Sequence, residues 1–147
     1  MSQLIAQIRD AMKAAMRAKE QERLTTIRLV QAEFKRIEVD ERIELDDARV
    51  LVVLDKMLKQ RRDSISQFEA AGRQELADKE VREIAIIQEF LPTPLTAEEI
   101  TALIDAAIRE TGASSMKDMG AIMALLRPQI QGRADAAEVS KSIKARL

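Results

Sequence analysis

Arg61 is the residue in this chain whose position most suggests chemistry, because it stands where an apolar side chain is expected. Projected at about 100° per residue, it falls inside a stripe made by Leu54, Met57 and Ile65. The same projection of the following segment puts Glu80 among Leu76, Ile84, Ile87 and Leu91, with Glu83 at the edge of that stripe. If Gly72 folds the two segments into an antiparallel hairpin, Arg61 lies 11 residues before the turn, and Glu80 and Glu83 lie 8 and 11 after it. At about 1.5 Å per residue these depths agree within one helical turn, so the spacing predicts an Arg61 ion pair with Glu80 or Glu83. Two chemistries fit such a group. One is a catalytic carboxylate activated by a sheltered guanidinium. The other is a structural pair that fixes the register of two helices. The structural reading is preferred, because the sequence offers no third group and no substrate pocket beside it.

Two clusters of cations suit anion binding. Lys56 and Lys59 point away from the apolar stripe in the string that also holds Arg61 and Arg62, where surface solvation explains them equally well. The second cluster is C-terminal: Lys117, Arg127, Arg133, Lys141, Lys144 and Arg146. Within it, Gly132-Arg133-Ala134-Asp135 leads into a helix start, where free backbone N–H groups and the helix dipole favour an anion. Four or five phosphate contacts of this kind give weak, salt-sensitive binding, suited to reading the shape of a folded RNA rather than its bases.

The remaining inventory argues against most catalysis. The chain has no His and no Cys, which removes the usual proton shuttle, the thiolate nucleophile and the commonest transition-metal ligands. A carboxylate pair or a Ser–Lys dyad can be assembled from what is left, yet no nucleophile elbow or glycine-rich phosphate loop is present, and the chain holds four Gly in all. Three Phe are the entire aromatic complement, so a base-stacking platform is not expected. The inventory predicts no catalytic residues, no metal and no cofactor. Seven Met, three of them between 116 and 123, read as core filler.

The elements that must position these residues are helical throughout. Nearly every segment repeats its apolar residues every three or four positions, and the alternation of a strand is hard to find. The fold class expected is all-α. Ser2 caps a first helix with Leu4, Ile5, Ile8, Met12 and Met16 on one side. A second carries Leu24, Ile27, Val30, Phe34 and Ile37, and the charged stretch from Glu38 to Glu44 reads as a solvated connection. Asp46 caps a long third helix with Val50, Leu54, Leu58, Ile65 and Phe68 on its inner face, which Gly72 ends. A fourth runs from about Gln74 to Phe90, where Leu91-Pro92-Thr93-Pro94 stops it and marks the clearest boundary in the chain. Beyond it, Thr96 and Glu99 form a capping box for a fifth helix closed by Gly112, Ser115 caps a sixth that ends before Pro128, and Asp135 caps the last. The expected organisation is a helical bundle over residues 1–91 and a small three-helix domain over residues 95–147.

Charge is uneven along the 147 residues although the net is −1. The balances are +4 for residues 1–37, −8 for 38–113 and +3 for 114–147. Ordinary solvated helix faces explain much of this. No apolar run approaches the ~20 residues of a membrane span, and Arg9, Lys13 and Arg17 punctuate the first segment too regularly for a signal peptide. A cytoplasmic protein without membrane contact is therefore expected.

Several strings in these elements resemble a family. They are Leu-Lys-Gln-Arg-Arg-Asp-Ser-Ile from Leu58, Phe-Glu-Ala-Ala-Gly-Arg from Phe68, Phe-Leu-Pro-Thr-Pro-Leu from Phe90, Asp-Met-Gly-Ala-Ile-Met from Asp118, and Gly-Arg-Ala-Asp from Gly132. Taken in order across nearly the whole chain, they resemble the YqeY family, related to the tail domain of GatB, the B subunit of aspartyl/glutamyl-tRNA amidotransferase. The resemblance implies a helical bundle followed by a three-helix domain, and kinship with a module that touches tRNA, where the segment Gly120 to Met123 and the Gly-Arg-Ala-Asp segment lie in the tail. The domain that performs kinase and transamidation chemistry in that subunit has no counterpart here. The function expected is therefore a non-catalytic tRNA-binding accessory module. The alternatives are an adaptor docking an amidotransferase or synthetase, or part of a carbon–nitrogen ligase using glutamine as amido donor.

Overall fold

The computed structural model describes residues 2–147, and among these it is all-α. The helices are α1 (Gln3–Arg17), α2 (Gln21–Glu41), α3 (Asp47–Ala70), α4 (Gln74–Gln88), α5 (Ala97–Thr111), α6 (Met119–Ile130) and α7 (Ala136–Lys144), with a single 3₁₀ turn, Met116–Asp118, leading into α6. The chain divides into two compact units, Met1–Pro92 and Thr93–Leu147.

In the first unit each helix buries the stripe its sequence period defines. Ile8 of α1, Ile27 and Val30 of α2, Leu54 of α3 and Ile87 of α4 meet in one core and are fully sequestered from solvent. Truncating a residue such as Leu54 to Ala costs about 2–5 kcal/mol, because the methyl groups lost leave a void that the neighbours only partly refill. Caps set the ends. The Ser2 hydroxyl accepts from the Ile5 N–H and also bonds the Asp47 carboxylate, which takes the Leu4 N–H, so the starts of α1 and α3 share one polar cluster. At the far end of α3, Gly72 is left-handed with φ 73°, the Gly72 N–H reaches the Glu69 carbonyl and the Arg73 N–H reaches that of Phe68. These are the two bonds of a Schellman stop.

Three boundaries differ from the sequence expectation. The stretch 38–44 is not all connection: α2 continues to Glu41, and the chain reverses at Arg42 in a left-handed conformation, φ 55°. Glu38 is used inside that reversal, its carboxylate accepting the buried Leu45 N–H at 3.1 Å. Helix α4 ends at Gln88, after which Glu89, Phe90 and Leu91 donate to carbonyls three residues back, a tightened final turn before Pro92. Third, α6 runs through Pro128 to Ile130. The proline stands in the last turn, where it removes the N–H that would otherwise reach the Ala124 carbonyl, and the helix ends two residues later.

The second unit packs α5, α6 and α7 around Ile104, Ile122, Leu126, Val139 and Ile143. Thr96 and Glu99 close a full capping box at the start of α5, with bonds of 3.1 and 3.2 Å. Ser115 opens the 3₁₀ turn, and Asp118 accepts the N–H groups of Ser114 and Ser115. At α7 the Asp135 side chain takes the Ala137 N–H at 3.1 Å.

Candidate nucleic-acid interface

The six C-terminal cations fall into two groups. Lys117 in the 3₁₀ turn, Arg127 on the flank of α6 and Lys144 on the outer side of α7 are exposed and have no carboxylate partner among the described residues. Lys141 shares the outer side of α7 and makes only a solvent-exposed contact with Glu138 at 3.7 Å. These four keep their charge available for a phosphate, because nothing in the unit neutralises Lys117, Arg127 or Lys144 and an exposed i,i+3 pair is weak.

Arg133 and Arg146 are engaged elsewhere. The Arg133 Nε donates to the Thr93 carbonyl at 2.9 Å, while its own carbonyl accepts the Leu95 N–H at 2.8 Å. Arg133 thus clamps the strand of chain that enters the second unit. Arg146 pairs with Asp105 of α5. Nor does the Gly-Arg-Ala-Asp segment offer an open anion cradle. The N–H groups of Arg133 and Ala134 both bond the Ile130 carbonyl, and the first turn of α7 is capped by the carboxylate of Asp135. Gly132 is left-handed, φ 74°, and buried, which explains a glycine there by backbone geometry.

Beside Arg133 lies a feature the sequence did not reveal. Leu95, Ala102, Leu103 and Pro128 line a groove of about 570 Å³, with Glu99 and Arg133 at its polar edge. The Thr96 backbone and hydroxyl bonds hold the Glu99 carboxyl below its usual range, and Arg133 adds to the same effect. Pro128, which the sequence marked as the stop of this helix, lines the groove together with Leu103.

In the first unit the Arg61 Nε stands 2.8 Å from Glu83 and 3.9 Å from Glu80, and its guanidinium also bonds the Met57 carbonyl at 3.4 Å. Burial pushes the Glu80 carboxyl above the ordinary glutamate range, the Glu83 charge adds to this, and Arg61 and Lys79 oppose it. Lys56 and Lys59 are both exposed on α3, and Lys56 edges a groove between α2 and α3 that it shares with Glu33, Arg36 and Asp40. In that groove the Arg36 guanidinium bonds Glu33 and so lowers its carboxyl. Among the described residues no cluster of three acidic side chains could hold a metal ion, and no helix is long and apolar enough to cross a membrane.

Comparison with known proteins places the chain among relatives. The family model described as Yqey-like protein matches residues 5–147. The chain is 37% identical over 109 residues to "Altered inheritance of mitochondria protein 41, mitochondrial" of Eremothecium gossypii, covering 72% of this chain and 60% of that protein. It is 38% identical over 87 residues to the protein of the same name in Kluyveromyces lactis, covering 58% and 47%. The protein of that name in Pyrenophora tritici-repentis is 31% identical over 137 residues, covering 90% and 75%. The chain thus spans 60% and 47% of the length of the first two relatives. Their designation overturns the cytoplasmic expectation: proteins matching most of this chain are mitochondrial by name. The charge pattern behind that expectation has another origin. Arg9, Lys13 and Arg17 line the exposed side of a helix whose other side is core, so their spacing reports the folding of α1 and carries no information about compartment.

Proposed function

The chain belongs to the YqeY family, and from that premise we propose that it is a non-catalytic accessory module that binds folded RNA, tRNA above all, through its C-terminal three-helix unit. The observation that carries this reading is the set Lys117, Arg127 and Lys144, exposed and without carboxylate partners, joined by Lys141. Kinship with the amidotransferase tail domain, a module that touches tRNA, supports tRNA as the polyanion. Backbone contact by a few lysines and one arginine gives affinity without base readout, and an aromatic complement of three Phe with no Tyr or Trp fits a reader of shape.

The test is a fluorescence titration of labelled bulk tRNA with the full chain and with the variant Lys117→Gln/Arg127→Gln/Lys144→Gln. Loss of tenfold or more in affinity by the variant, at unchanged helicity, supports the reading. Equal binding by both proteins refutes it.

A second reading, a protein-docking adaptor, is favoured by the shape of the α3–α4 hairpin. Between Lys59 and Arg82 the one fully buried side chain short of the Arg61 layer is Ala77, while Ile65, Phe68 and Leu76 are only half covered. That part of the hairpin extends past the core as a two-helix arm. Capture of a purified amidotransferase or aminoacyl-tRNA synthetase that survives RNase treatment and is lost with Phe68→Ser would favour this reading over the first.

A further inference from the structure

We propose that the outer face of α1 is a second contact for the RNA backbone, formed by Arg9, Lys13 and Arg17 in a line. The inference rests on the RNA-binding reading above and adds a surface to it in the other unit. The three residues stand at i, i+4 and i+8, so they share an arc of about 80° and span about 12 Å of helix. All three are exposed, and none has a carboxylate partner among the described residues.

Several arginines of the same unit behave differently, although Lys19, Arg28, Lys35 and Arg42 are, like the α1 cations, without an ion pair among the described residues. Arg23, Arg36, Arg49, Arg73 and Arg82 each pair with a glutamate. A face that served only solvation would mix signs in the same way, and α1 holds one acid, Asp10, against its three cations. Like charges four residues apart weaken a helix by about 0.2–0.5 kcal/mol per pair. Nothing in the packing of α1 requires that penalty, because the helix is held by Ile8 and Ala15, which are buried on the opposite side.

That burial also decides the occupant. A helix lying on a membrane must turn its apolar stripe to the lipid, and Leu4, Ile5, Ile8 and Met12 of the α1 stripe are packed in the core, with Met16 at its end left exposed. What remains is a straight row of donors with guanidinium groups at both ends, suited to a repeating phosphodiester, since guanidinium binds phosphate through two parallel bonds.

The experiment uses the full chain, labelled bulk tRNA, and salt at about 50 mM and about 200 mM. The variant Arg9→Gln/Lys13→Gln/Arg17→Gln should keep its helicity, because glutamine matches lysine and arginine in helix propensity. It should lose tenfold or more in affinity at the lower salt, with a dependence of log K on log salt shallower by about 2 to 3. If this variant binds like the wild type while Lys117→Gln/Arg127→Gln/Lys144→Gln is weakened, the α1 surface is refuted and the C-terminal reading stands. If the wild type does not bind tRNA, both fall. Wild-type binding to anionic vesicles that the α1 variant loses, with tRNA affinity the same in both proteins, would assign the surface to a membrane and overturn the proposal.

Discussion

The Arg61 guanidinium donates to Glu83 at 2.8 Å across the seam between α3 and α4 and stands 3.9 Å from Glu80, so one cation serves two carboxylates at the last well-buried layer of the hairpin. Arg61 and Glu83 are sheltered, with side-chain exposures of 13% and 11%. Removing one partner strands the other in a poorly hydrated place. Arg61→Met should cost about 1–3 kcal/mol, below the 3–5 kcal/mol of a fully buried pair because some water reaches this one. Arg61→Met/Glu83→Leu should recover much of the loss, since two apolar groups of similar volume need no compensation. Urea unfolding of both single variants and the double variant measures the coupling. A double variant no more stable than the worse single one would show that the pair does not act as a unit.

Glu80 predicts a dependence on pH. Burial, then the Glu83 charge, raise its carboxyl above the ordinary range. An acid whose pKa is higher in the fold than in the unfolded chain binds its proton more readily when folded. Its favourable contribution is complete below the unfolded pKa, about 4.3, and is lost as pH rises through the folded value. Glu80→Gln should therefore have a higher urea midpoint than wild type at pH 7, and the advantage should vanish below about pH 4. A lower midpoint at pH 7 would mean that the contact with Arg61 outweighs desolvation.

How much of this was legible differs from place to place. The hairpin pair follows from helical period and the position of Gly72, because depth along two antiparallel helices is fixed by residue count alone. The caps at Ser2, Asp46, Thr96 and Asp135 are local and could be read from side-chain type. The extension of α2 to Glu41 was hidden, because a polar solvent-facing turn looks the same whether helical or not, and what sets it is the Glu38 bond to Leu45 seven residues away. The states of Arg133 and Arg146 were hidden for a related reason. Their partners, Thr93 and Asp105, are 40 and 41 residues distant, and a count of cations cannot separate those already engaged from those still available. Compartment was not legible at all.

Two helix ends carry correctable strain. Lys19 and Arg42 are left-handed, with φ of 59° and 55°, at positions where glycine avoids the clash of Cβ with its own backbone. Neither makes an ion pair among the described residues. Lys19→Gly and Arg42→Gly should each stabilise the first unit by about 0.5–1 kcal/mol, the relief of strain exceeding the added freedom of the unfolded chain. Thermal melts of the two variants check this, and a fall in Tm would contradict it.

Arg133 and the exposed cations should separate cleanly on mutation. Arg133→Gln removes the bond to the Thr93 carbonyl and should cost the second unit about 1 kcal/mol, with faster amide exchange at Leu95. Lys117→Gln, Arg127→Gln and Lys144→Gln should each change stability by less than about 0.5 kcal/mol. Unchanged exchange at Leu95 in Arg133→Gln would show that the clamp contributes nothing.

The most direct test of the central claim, that this chain holds a polyanion by its exposed cations, is the salt dependence of bulk tRNA binding by the full protein. Lys117, Arg127, Lys141 and Lys144 predict that log K falls with log salt at a slope of about −3, made steeper by any contact from α1. A slope near zero, or affinity no greater than that of an acidic helical protein of similar size, would contradict the account.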